Sequence, residues 1–97
     1  MSEKTRRYLI SGKVQGVHYR ASTEARAQEL GVKGWTRNLT DGRVEVLASG
    51  SQQQLAALAD WLEQGPERAR VDEVLVSDEP EQLFLGFTIE ATAPAAV

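Results

Sequence analysis

The chain has 97 residues, no cysteine, one histidine and a formal net charge of -3. That length supports a single core and little more, and the inventory excludes disulfides, thiolate nucleophiles, zinc thiolate centres and any site built from several histidines. No apolar run reaches the length of a membrane span, and Met1 to Tyr8 is charged without the apolar segment of a secretory signal, so a cytoplasmic location is expected.

Tyr8, Ile10, Gly12 and Val14 alternate with Leu9, Ser11 and Lys13, the period of a first strand. After a glycine-containing turn, residues 22–30 read as a helix with Thr23, Ala27 and Leu30 at helical spacing and Gly31 as its stop. The apolar face is small, so this helix must lie close to whatever it packs on. Residues 33–38 and 43–48 read as strands joined by "LTDG", where Asp41-Gly42 suits a tight hairpin.

Ser51 and Gln54 have the spacing of a capping box, and Leu55, Leu58, Ala59 and Leu62 mark one face of a helix that stops at Gly65-Pro66, with Trp61 sealing its edge. Residues 71–76 form a fourth predicted strand, "DEPEQ" a polar loop, and residues 85–89 a short fifth strand with Phe87 and Ile89 facing one way. The tail "TAPAAV" is expected to be loose.

The order βαββαβ plus a short C-terminal strand predicts an α+β, ferredoxin-like split βαβ sandwich, with both helices on one face of an antiparallel sheet. One domain over residues 1–97 is expected, its core at about residues 7–90 between loose ends. In that topology strands one and two run parallel with strand three between them. The turn at Gly16 and the end of strand two at Asn38 should then meet at one edge.

The stretch "GKVQGVHYR" departs from ordinary patterning. Gly16 permits a tight turn in which the main-chain N–H groups of Gln15, Gly16, Val17, His18, Tyr19 and Arg20 can converge on an anion, reinforced by the positive end of the following helix. Arg20 in a first helical turn opposes the helix dipole at a cost of up to ~1 kcal/mol, which a bound oxyanion would offset. A surface arginine beside an ordinary turn is the plainer alternative. The spacing is neither that of a Walker loop nor G-x-G-x-x-G.

His18 is the only imidazole, but Val17 and Tyr19 are read as the inward pair, which weighs against a general-base role. Asp72-Glu73 and Asp78-Glu79 are read as solvated carboxylates, and Trp35 and Tyr19 as packing residues. Residues 1–50 hold nine Lys/Arg against five Asp/Glu, whereas residues 51–97 hold two against nine. The basic half therefore contains the unusual loop, which favours a small anionic ligand over nucleic acid. "RVEVLAS" also lacks the aromatics of an RNA-binding third strand.

"GKVQGVHYRAST" followed by "GVKGWTRNLTDGRVEV" resembles the two signature blocks of the acylphosphatase family, over about residues 7–89. The resemblance implies a hydrolase acting on acid anhydrides, without metal or other cofactor, that splits acyl phosphates into a carboxylate and inorganic phosphate. It further implies that the turn cradles the phosphate with N–H groups, that Arg20 grips its oxygens and that Asn38 holds the attacking water. Tyr19 stands where the family often has phenylalanine, and His18 at a variable position.

The chemistry agrees with the inventory, because a carboxylate leaving group needs no general acid, and positioning with charge stabilisation suffices. Expected partners are an acyl phosphate and, as product and competitive inhibitor, inorganic phosphate; a monomer without nucleic-acid or membrane partners is expected. The competing readings are a non-catalytic phosphate or acyl-phosphate binding module of the same fold, and a piece of a larger carbamoyl-phosphate-handling protein. A stand-alone enzyme is favoured by the alanine-rich end and the lack of following zinc-finger-like cysteines.

Overall fold

The computed structural model describes residues 3–95. Its elements are β1 (Lys4–Lys13), α1 (Tyr19–Leu30), β2 (Lys33–Asn38), β3 (Val44–Gly50), α2 (Gln52–Gln64), β4 (Arg70–Glu79) and β5 (Phe87–Ile89). The five strands form one sheet in the order β4-β1-β3-β2-β5, with β1 and β2 flanking β3 as the split βαβ reading requires.

Alternation along the strands decides which face is covered. Tyr8 and Ile10 of β1 stand opposite Val46 and Val44 of β3, and all four are fully buried. They meet Leu55, Leu58 and Leu62 of α2 and Tyr19, Thr23 and Ala27 of α1. Ser51 caps α2 by accepting from the Gln54 N–H at 3.1 Å, while the Gln54 side chain accepts from the Ser51 N–H at 2.9 Å. That is the reciprocal box expected from the sequence.

Several expectations need correction. Residues 4–6 are not a loose end, because β1 begins at Lys4 and Thr5 is buried between β3 and β4, and β4 runs on to Glu79, which takes Asp78 and Glu79 out of the predicted loop. The sheet is mixed, because β5 pairs parallel to β2. Thr5 of β1 pairs with Glu79 of β4, and Lys33 of β2 with Ser49 of β3, so β4 ends at the edge where β2 begins. Residues 80–86 span at most ~25 Å when extended, against ~19 Å for four inter-strand spacings, so this link can only cross that edge and enter beside the start of β2. The Gln82 N–H donates to Thr5 Oγ1 at 3.1 Å on the way, and Ser49 Oγ donates to the Gln82 carbonyl at 3.1 Å.

Helix α1 begins at Tyr19 rather than residue 22, with His18 as N-cap. The described part of the tail is also bonded: Leu39 and Ala93 form a parallel bridge, and the Ala95 N–H donates to Thr40 Oγ1 at 3.2 Å. Residues 96 and 97 of "TAPAAV" lie outside the described residues, as do residues 1 and 2 at the other end.

Candidate active site

Buried Val14 and Val17 anchor the turn between β1 and α1, while Gly16 (φ 76°) and His18 (φ 63°) reverse the chain. A Cβ at Gly16 would meet nothing within 4 Å. The glycine therefore answers to a backbone angle, and the space beside it is open. The first cap bond is from the Ser22 N–H to the His18 carbonyl at 3.0 Å, and among the described residues no main-chain carbonyl accepts from the N–H groups of residues 15–20. No acidic side chain lies in the first turn of α1, so its positive end is not offset locally.

Asn38 closes β2, paired with Val44, and its carbonyl accepts from the Ala93 N–H at 3.0 Å. Its side-chain Oδ1 is buried and has no hydrogen-bond partner among the described residues. A buried acceptor left unpaired costs ~1–3 kcal/mol and is rare in folded proteins. A cleft of about 270 Å³ brings Asn38 together with Gly16, His18, Tyr19 and Arg20, and Ile89 forms a further wall. Among the described residues Arg20 has no carboxylate partner, so a guanidinium with five donors faces the cleft uncommitted.

A second depression of about 410 Å³ on the opposite sheet face is lined by Arg7, Arg37 and Arg43. Its cations are already paired: Arg7 with Glu45, Arg37 Nε with Glu45 Oε1 at 2.7 Å, and Arg43 Nε with Asp41 Oδ2 at 2.8 Å. Arg37 also stacks over Trp35 at 4.4 Å. The smaller cleft instead holds Arg20, which has no such pair among the described residues, beside Asn38 with its unpartnered Oδ1.

Two residues expected in the cradle, Gln15 and Val17, are not among those that line the cleft. The Val17 side chain is buried in the core, and the Gln15 side chain turns away to the β2–β3 hairpin, its Nε2 donating to the Leu39 and Arg43 carbonyls, each at 2.9 Å. Tyr19 is a core residue whose hydroxyl donates to the Leu62 carbonyl at 2.6 Å; burial pushes its phenol well above the ordinary value of 10.0. Ile89 had no functional signal in the sequence. The parallel pairing of β5 with β2 delivers it beside Asn38.

A family model described as acylphosphatase matches residues 6–89. The chain belongs to the acylphosphatase family. An acylphosphatase from Marinobacter nauticus is 62% identical over 72 residues, covering 74% of this chain and 78% of that protein. The structure of an acylphosphatase from Coxiella burnetii superposes with a TM-score of 0.88 at 35% identity, over 91% of this chain and 93% of that one. The fold alone is shared with full-length HypF, at 22% identity and a TM-score of 0.90, where 96% of this chain matches 12% of that chain.

Proposed function

We propose that this acylphosphatase hydrolyses the carboxyl–phosphate bond of acyl phosphates, with Arg20 and the N–H groups of residues 15–20 holding the phosphoryl group and Asn38 holding water. The observation that supports the reading is one cleft lined by Gly16, His18, Tyr19, Arg20 and Asn38, in which, among the described residues, Arg20 has no carboxylate partner and the Asn38 Oδ1 beside it has no hydrogen-bond partner.

Arg20 donates bidentately to two phosphoryl oxygens, a geometry that a lysine ammonium does not reproduce. Asn38 Oδ1 accepts a hydrogen bond from water and aims its lone pair at phosphorus. As the P–O bond to water forms, the P–O bond to the acyl group breaks, and its electron pair leaves on the carboxylate. Asn38 is neutral and takes no proton, so a phosphoryl oxygen receives it. The cradle meets the charge spread over the equatorial oxygens in the transition state.

No metal has a role in this scheme. The reading extends to one domain spanning residues 1–97, active as a monomer in the cytoplasm, with inorganic phosphate as competitive inhibitor and neither nucleic acid nor membrane as partner. No helix among the described residues is long and apolar enough to cross a membrane.

The test is hydrolysis of benzoyl phosphate in chelator-treated buffer by the parent protein, Arg20→Lys and Asn38→Ala. The parent turns over, Arg20→Lys folds but loses measurable phosphate binding, and Asn38→Ala loses ~10²–10³ in kcat, the scale of one oriented group at the reacting centre. Phosphate binding without turnover by the parent would favour a binding module. Near-normal kcat for a folded Asn38→Ala protein would reject the water-holding role.

A further inference from the structure

We propose that Gln15 is a positioning residue for this hydrolysis, its carboxamide setting the separation between the phosphate cradle and Asn38. The proposal rests on the hydrolytic reading above. Gln15 opens the cradle, yet both hydrogens of its amide are spent outside it, on the carbonyls of Leu39 and Arg43 at 2.9 Å each. Those carbonyls form the neck of the hairpin: the Leu39 N–H donates to the Arg43 carbonyl at 2.8 Å and the Gly42 N–H to the Leu39 carbonyl at 3.1 Å. Asn38 is the residue just before the neck.

Among the described residues these two bonds are the only hydrogen bonds that join residues 14–20 to the hairpin. From the far side, the Thr40 N–H donates to the Ala93 carbonyl and the Ala93 N–H to the Asn38 carbonyl, both at 3.0 Å. Asn38 is thus held between the tail and the Gln15 carboxamide. The cradle and Arg20 share one continuous piece of chain, so they keep their mutual geometry without Gln15. What Gln15 adds is the link between phosphate-holding and water-holding parts, a link in which displacement of ~1 Å costs up to ~10²-fold in rate.

Gln15→Met keeps the length of the side chain and removes both donors; Gln15→Glu keeps its shape and sets a carboxylate against two carbonyl oxygens. The experiment is a double-mutant cycle with Asn38→Ala, reading kcat and KM for benzoyl phosphate. In the parent background Gln15→Met lowers kcat about ten- to a hundredfold with KM little changed. In the Asn38→Ala background it lowers kcat less than about twofold, because the group it positions is gone. Equal losses in both backgrounds, or a loss confined to KM, overturn the proposal while leaving the hydrolytic reading intact.

A parent protein that does not hydrolyse benzoyl phosphate overturns both. Should Gln15→Met fail to fold, Gln15→Glu carries the same cycle with a larger loss expected. Failure of both variants to fold would show that the residue serves the fold, and would also overturn the proposal.

Discussion

His18 is the one non-glycine residue with a positive φ among the described residues, and it sits at the start of a helix without giving a side-chain cap. An L-residue there costs ~1–2 kcal/mol of backbone energy, and the return is that α1 starts at Tyr19 and carries Arg20 into the cleft. Tyr19 then serves the core. Leu62 lies in the last turn of α2, where carbonyls lack an intrahelical donor, and the Tyr19 hydroxyl supplies one. Tyr19→Phe is expected to lower stability by ~1 kcal/mol in urea unfolding at neutral pH.

The same phenol makes stability fall in alkali. Burial raises its folded value above the ordinary 10.0, so its contribution is complete below that pH. It is lost as pH rises further, because the unfolded chain releases the proton first. Burial also raises Tyr8. Melting temperatures followed from pH 8 upward should therefore fall above about pH 10, less steeply for Tyr19→Phe than for the parent. Equal slopes would reject a buried, proton-retaining Tyr19.

At the scale of elements, β2 carries Asn38 and its placement depends on how closely it approaches β3. Gly34 has φ 142°, and a Cβ there would lie 1.9 Å from the Leu47 carbonyl oxygen. Alanine would have to push the two strands apart in a region of the sheet that is buried. Gly34→Ala is expected to cost at least ~3 kcal/mol, the sum of backbone strain and overpacking, measured by urea unfolding. A loss below ~1 kcal/mol would show that β2 has room to move.

For the whole molecule, the face of the sheet away from the helices carries a charge network beside the buried Leu47. The Glu45 carboxylate on β3 is 5% exposed and binds Arg7 of β1 and Arg37 of β2, while Arg7 Nε also reaches Glu79 of β4 at 3.5 Å. Four strands are tied by one network. Glu45→Gln keeps the volume and leaves two guanidinium groups facing each other, each about a third exposed to water. Discounting a buried pair for that exposure, the expected loss is ~2 kcal/mol, and a loss under ~0.5 kcal/mol in urea unfolding would show the network to be a surface feature.

The sequence by itself determined the strands and helices, the capping box at Ser51, the Asp41-Gly42 hairpin and the resemblance carried by two motif blocks. These are signals written in neighbouring residues, by period and by turn chemistry. It placed the Gly16 turn and Asn38 at one edge because the βαββαβ order leaves few alternatives. Only the tertiary structure decided the start of α1, since a left-handed His18 replaces the Ser or Thr cap that local reading seeks. It also decided the parallel entry of β5 that brings Ile89 to the cleft, and the turning of Gln15 toward carbonyls far along the chain. Those outcomes depend on what a side chain meets across space, and no local pattern encodes that meeting.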